Sequence, residues 1–443
     1  MWYNILMDDK VWLVSVNMGY GHQRSAYPLK GLAYKNEVIN ANDYKGIPES
    51  DKKIWKQSQA FYEAISRFKM APFIGDYAFA LYDKLQRITN LYPRRDMSRP
   101  NFAVREMYML LKRGWGKDLI ARLSKKRMPL LTTFYAPAFM AEYHDFPEDI
   151  YTVICDTDIS RAWAPLDPLT SRIKYFAPNE RVYERLKLYG VKKRNIYLSG
   201  FPLPAGNISS EDGVKAWKME VLIRNLRNRL INLDPKKKYY DRYKVLVEKK
   251  LGPLNEASDH PLTILFSVGG AGAQKEIGIK AVESLTLKIK KEEVKIILSA
   301  GTKEDLKNYF EDKLKGMHLG TGGAVEILYD KSLDGYFSRF NEALRKTDIL
   351  WTKPSELSFY AGLGLPILIA PPIGSHEDFN RRWLIKSGFG LNQENPAYIS
   401  QWLYDWLDEG YLAEAAMEGF VEGEKLGVFN IQHAIFQKKD YEE

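Results

Sequence analysis

Three stretches of the 443-residue chain set glycines beside polar or titratable side chains, each directly after a short apolar run. The first is Asn17-Met18-Gly19-Tyr20-Gly21-His22, which follows Val11 to Val16 and precedes a helix expected from Ser25. Glycines let a backbone turn sharply and approach a ligand, and a helix start offers unpaired N–H groups to an anion. An imidazole there can work as a general base near neutral pH. An isolated histidine at a helix start more often bonds locally, but a strand-to-helix edge is where doubly wound folds hold ligands.

The second stretch is Ser267-Val268-Gly269-Gly270-Ala271-Gly272-Ala273-Gln274, after Leu262 to Val268 and before a helix starting near Lys275. Gly269, Gly270, Ala271 and Gly272 expose successive N–H groups at a helix N-terminus, a cradle for a diphosphate. The stretch lacks the Gly-Lys-Ser/Thr ending of nucleotide hydrolases, and it reads equally as a tight turn with close strand-helix packing. The third runs from Trp351-Thr352-Lys353-Pro354-Ser355-Glu356-Leu357 through Gly362 to Pro366, then Pro371 to Asn380. Its two loops end in Lys353, Ser355 and Glu356, and in Ser375, His376, Glu377 and Asn380. A carboxylate at such a place can accept two hydrogen bonds from a ribose or hexose diol. Either loop alone reads as an N-cap with acids favouring the helix dipole; two loops on one edge favour a ligand.

The elements that must position these residues alternate as in parallel sheets joined by crossover helices. Strands are expected at Val11–Val16, Pro129–Tyr135, Ile150–Asp156, Lys174–Ala177 and Ile196–Ser199 in the first half. In the second half they are expected at Leu262–Val268, Val294–Ser299, Val325–Tyr329, Asp348–Thr352 and Pro366–Ala370. The fold class is therefore α/β with two Rossmann-like doubly wound lobes, at 1–206 and 261–395. A helical linker or insertion is expected at 207–260 and C-terminal helices at 396–443.

Composition is that of a globular protein, with 45% apolar and 27% charged residues, which argues against disorder and collagen-like or coiled-coil classes. Cys155 stands alone, so no intramolecular disulfide and no cysteine-rich zinc site can form, as suits a reducing compartment. The N-terminus lacks the basic start and apolar length of a secretory signal. The stretch Leu363 to Ile373 is short and holds three prolines, so no membrane span is expected.

Between Lys45 and Arg127 there are 19 basic and 8 acidic side chains, more than the whole chain's net surplus of +9. The region carries two apolar stripes at helical spacing. One is Ile54, Ser58, Phe61, Ile65 and Phe68; the other is Val104, Met107, Leu111, Trp115, Leu119 and Leu123. Lys112, Arg113, Lys117, Arg122, Lys125, Lys126 and Arg127 flank the second, which suits either an interfacial helix on anionic lipid or a core stripe with a solvated back. No nucleic-acid module accompanies the charge, so nucleic acid is the least favoured partner.

The ordered set of motifs resembles glycosyltransferase family 28. These two-lobed GT-B enzymes include monogalactosyldiacylglycerol synthase, processive diacylglycerol glucosyltransferases and the peptidoglycan N-acetylglucosaminyltransferase. Met18-Gly19-Tyr20-Gly21-His22 is similar to the family's N-terminal glycine loop. Ile154-Cys155-Asp156 through Trp163, then Tyr175, Leu186, Gly190, Ile196 and Ser199-Gly200-Phe201-Pro202, resembles the glycolipid branch. Thr352-Lys353-Pro354, Gly364-Leu365-Pro366 and Glu377 with Asn380 resemble the donor-binding region. The chain has His376 where the glycolipid enzymes usually have glutamine, and Ser160 where they have histidine three residues before the tryptophan.

The resemblance implies an inverting transfer of a hexose or N-acetylhexosamine from a UDP-sugar, with the site in the cleft between the lobes. The diphosphate would lie on Gly269 to Gly272 and the adjoining helix end, with no metal and no cofactor beyond the donor substrate. Lys353, Ser355, Glu356, Ser375, His376, Glu377 and Asn380 would complete the donor site, with Glu356 the best ribose-binding carboxylate. Gly19, Tyr20 and Gly21 would form the acceptor-side loop, and His22 or Asp156 would act as base, with His22 favoured. The expected acceptor is a lipid hydroxyl at an anionic membrane surface, reached by a cytoplasmic, peripheral enzyme. The alternatives are a UDP-N-acetylhexosamine epimerase, a glycosyltransferase with a soluble acceptor, and a catalytically silent lipid- or nucleotide-binding subunit.

Overall fold

The computed structural model describes residues 10–68, 88–209, 218–267, 274–372 and 375–436. The chain forms two units: Met1–Leu203 with Ile373–Asn380 and Leu426–Glu443, and Pro204–Pro372 with Arg381–Lys425.

The first unit is built on a six-stranded sheet of β1 (Trp12–Ser15), β2 (Ile39–Asn40), β3 (Leu130–Thr132), β4 (Ile150–Val153), β5 (Lys174–Ala177) and β6 (Ile196–Leu198). The order is β2-β1-β3-β4-β5-β6 and all pairings are parallel. All four β4 residues are buried, as expected of a strand covered on both faces. Because β1 has β2 on one side and β3 on the other, the strand order reverses at β1 and β3, the switch point where open α/β sheets bind ligands. Val11, Leu13, Leu131, Val153 and Phe176 share a core with Val428, Ile431, Ala434 and Ile435 of the helix Gly427–Phe436.

The second unit has β7 (Leu262–Ser267), β8 (Val294–Gly301), β9 (Val325–Tyr329), β10 (Ile349–Thr352), β11 (Ile367–Ile369) and β12 (Gly390–Asn392), in the order β12-β11-β10-β7-β8-β9. This sheet too is wholly parallel, and its order reverses between β7 and β10. Both sheets carry helices, so the two Rossmann-like lobes of the expected α/β architecture are present. The edge strands β2 and β12 were not foreseen, since Ile39–Asn40 and Gly390–Asn392 are partly exposed and lack the apolar run that marks the other ten.

The segment expected as a linker contributes the helices Glu220–Leu233 and Lys238–Leu251 to the second unit, where Leu222, Leu226, Leu230 and Leu233 are buried. The C-terminal helices divide: Ile399–Asp408 and Tyr411–Glu422 stay with the second unit, while Gly427–Phe436 joins the first. Asn430 anchors that last helix by donating to the Ser199 carbonyl at 2.8 Å.

The stripe from Val104 to Leu123 faces inward. Val104, Leu111, Trp115, Leu119 and Leu123 are buried, and the seven flanking basic residues are exposed. Positive φ at Gly114 and Gly116 breaks it into the helices Phe102–Lys112 and Lys117–Leu123. Its apolar face is therefore core, not a membrane-facing surface. In the helix Glu49–Phe68, Trp55 is buried while Ser58 is exposed; the side chains of Phe61, Ile65 and Phe68 lie outside the described set. No described helix is long and apolar enough to cross a membrane.

Candidate functional site

In the first unit the candidate residues gather at the carboxyl ends of β1, β3 and β4. Gly19, at φ +109°, is the N-cap of the helix Tyr20–Ala26, a backbone state that side chains other than glycine rarely adopt. The helix starts at Tyr20 rather than near Ser25, so Tyr20, Gly21 and His22 form its first turn. The loop start is pinned by Asn42, whose Oδ1 accepts from the Asn17 N–H at 2.9 Å and whose Nδ2 donates to the Asn17 carbonyl at 3.0 Å.

His22 is half-buried, and its Nδ1 donates to the Thr133 carbonyl at 2.9 Å. Since a carbonyl only accepts, neutral His22 carries its proton on Nδ1 and a basic lone pair on Nε2. Cys155 Sγ lies 3.3 Å from the same Nδ1, and Phe134 meets the ring edge-on at 4.7 Å. Thr133 is itself held across the switch point, its N–H donating to Val14 O at 3.1 Å and its hydroxyl to Ser15 Oγ at 2.9 Å.

Asp156, Thr157 and Asp158 follow β4 and have three different environments. Asp156 is half-buried near His22's neighbour Cys155 in the chain. Asp158 is buried and takes a two-pronged ion pair from Arg185, Nε to Oδ1 and Nη2 to Oδ2, both at 2.8 Å. Arg181 Nε adds a third bond to Oδ2 at 2.6 Å. Burial pulls the Arg185 guanidinium down, but its hydrogen bond and charge interaction with Asp158 outweigh this and raise it.

Thr157 is bonded to Asn380, which belongs to the first unit. The Asn380 Oδ1 accepts from the Thr157 N–H at 3.1 Å and from its hydroxyl at 2.7 Å. Asn380, expected as a donor contact, is thus wholly buried with its amide oxygen engaged by the protein. Glu377, one helical turn earlier in the helix Ser375–Lys386, is 2% exposed. The side chains of Ser375 and His376 lie outside the described residues.

In the second unit, β10 lies between β7 and β11, with Thr352 in register with both Ser267 and Ile369. The three motif loops therefore leave neighbouring parallel strands at one edge. Gly269, Gly270, Ala271 and Gly272 lie outside the described residues, but both flanks of their loop are defined. Gln274, at φ +65°, caps the helix Lys275–Lys290, and its Nε2 donates to the Pro371 carbonyl at 2.9 Å, tying the loop after β7 to the loop after β11. After β10, Lys353 is half-buried and Ser355 occupies the N-cap of the 3-10 helix Glu356–Leu363 without its hydroxyl capping it. Glu356 is 9% exposed at the first helical position.

Sequence reading missed several supports of this arrangement. Gly278 lets the helix Lys275–Lys290 lie against β7, since a Cβ there would strike the Phe266 ring. Thr133, Thr157 and Cys155 gave no signal, because their partners are remote in sequence.

Fold and edges define a doubly wound α/β protein with two Rossmann-like units. Residues 254–322 match the model of a domain of unknown function, DUF6938. No curated protein matches the sequence. Similar solved structures include UDP-GlcNAc 2-epimerase from Neisseria meningitidis bound to UDP-GlcNAc, at 12% identity over 77% of this chain and 84% of that one, TM-score 0.44. MnaA of S. aureus, solved with UDP, is 11% identical over 97% of this chain and 96% of its own, TM-score 0.47. MurG of Acinetobacter baumannii is 12% identical over 97% and 99%, TM-score 0.42.

Proposed function

We propose that the protein is an inverting, UDP-sugar-dependent glycosyltransferase that transfers a hexose or N-acetylhexosamine to a hydroxyl of a lipid at the cytoplasmic face of a membrane. The observation that carries this reading is the placement of the three motif loops on the adjacent strands β7, β10 and β11, at the switch point of one parallel sheet. A diphosphate suits the glycine loop and the start of the helix Lys275–Lys290, and Glu356 suits a ribose diol.

In the proposed step the acceptor oxygen bonds to the anomeric carbon as the bond from that carbon to the diphosphate breaks. The acceptor proton passes to Nε2 of His22, the nitrogen left basic by the bond to Thr133. The charge developing on the departing UDP is met by N–H groups at the helix start. Asp156 is the alternative base.

A lipid acceptor is supported by the outward face of the helix Phe102–Lys112. Phe102 is 60% and Met109 45% exposed there, beside exposed Arg105 and Lys112. Apolar and basic side chains together suit a peripheral membrane contact.

The test is UDP release from a panel of UDP-sugars with and without lipid extract. Release that requires lipid supports the reading. Donor turnover without acceptor would replace it with an epimerase, and no turnover with any donor would remove the enzyme.

A further inference from the structure

We infer that His260 is a protonated clamp at the N-terminal edge of the second sheet, and that loss of its charge above neutral pH loosens the second unit. Its Nδ1 stands 2.5 Å from Asp259 Oδ1 and its Nε2 3.2 Å from Asp348 Oδ1. Carboxylates only accept, so both nitrogens donate, and an imidazole that donates twice is a cation. Burial pulls the ring's pKa down, but the bonds and charges of Asp348 and Asp259 outweigh it and hold His260 above its ordinary value.

Asp348 precedes β10 and His260 precedes β7, so the pair joins the starts of two central strands. The buried Asp348 Oδ2 also accepts from the Thr263 N–H at 2.8 Å and from Asn232 Nδ2 at 2.9 Å, while the Asp348 N–H donates to Thr263 O at 2.8 Å. Burial pushes the Asp348 carboxyl up, against His260, the Thr263 amide and Arg229.

Arg229 is the second cation of the network. Burial lowers its pKa to about 10, with Asp348 opposing. Its guanidinium donates to the carbonyls of Thr347 at 2.9 Å, Leu363 at 2.8 Å and Gly364 at 3.0 Å. Leu363 ends the 3-10 helix Glu356–Leu363, so the clamp is linked through Arg229 to the element that follows β10.

The other charged groups on this side are Lys295 of β8 and Glu326 of β9, paired at 2.9 Å, with Arg339 and Glu342 of the helix Leu333–Ala343 and Lys346 beyond it. With Asp259 and His260 they line an open groove of about 510 Å³, through which the 6% exposed ring exchanges protons with water. Because the folded-state pKa of His260 lies above its ordinary 6.5, the clamp's contribution is complete below that pH and is lost as pH rises through the folded value.

The test is thermal unfolding of the full chain from about pH 6 to about pH 9, comparing wild type with His260→Gln and Asp259→Asn. The wild-type excess in Tm over His260→Gln should be largest at the acid end and shrink as pH rises. Asp259→Asn, which removes an exposed partner, should move that decline to lower pH. Amide exchange in wild type, corrected for intrinsic pH dependence, should show 259–266 and 356–364 losing protection over one shared interval. A pH-independent Tm excess overturns the proposal. If His260→Gln does not fold, an unmoved decline in Asp259→Asn, or separate exchange intervals for the two segments, overturns it.

Discussion

His22 Nδ1 donates to the carbonyl oxygen of Thr133 at 2.9 Å, so a residue at the end of β3 sets the tautomer of the residue that follows β1. The bond crosses the point where the strand order of the first sheet reverses. His22→Ala should therefore lower turnover by roughly 10²- to 10⁴-fold while UDP affinity stays near wild type. Initial rates of UDP release and calorimetric UDP binding check this together, and an unchanged rate would remove His22 as the base.

Thr157 and Asn380 should be coupled energetically. Thr157→Val keeps the side-chain shape and removes one of the two donors to the buried Asn380 amide oxygen, which should cost about 0.5–1.5 kcal/mol. Thr157→Ser should restore most of it. Urea unfolding of the three proteins is the measurement, and a Ser variant as unstable as Val would deny the hydrogen bond its role.

The 3-10 helix Glu356–Leu363 rests on the helix Tyr411–Glu422 through Gly419, where an added Cβ would meet the Ala361 carbonyl. Gly419→Ala should destabilise the protein by about 1–3 kcal/mol, and by shifting Glu356 should weaken UDP binding several-fold. Denaturation and UDP titration of the same variant test both effects. Loss of stability with unchanged UDP affinity would argue against Glu356 as the ribose contact.

The exposed basic side chains offer a charge-driven contact worth about 1 kcal/mol each near an anionic surface. The double variant Lys112→Glu and Lys117→Glu should release the protein from phosphatidylserine vesicles at lower salt than wild type needs. Co-sedimentation at rising salt measures it. Binding to vesicles that ignores both salt and these charges would refute an electrostatic contact.

The sequence by itself determined the class of each sheet and the edge at which its glycine-bearing loops emerge. Ten of the strands announce themselves as short apolar runs, and glycine or proline with a polar residue marks the turns after β1, β7, β10 and β11, because these signals are carried by neighbouring residues. The start of the helix at Lys275 was legible for the same reason. Tertiary structure decided what the side chains at those edges do. It gave His22 a partner 111 residues away and Asn380 one 223 residues away, and it paired Asp158 with Arg185. It also sent the last helix to the first unit and turned the basic region's apolar stripe inward. Local sequence sets propensity and polarity, whereas the partner of a hydrogen bond or a buried face is chosen by which strands become neighbours, and that is known only once the chain has folded.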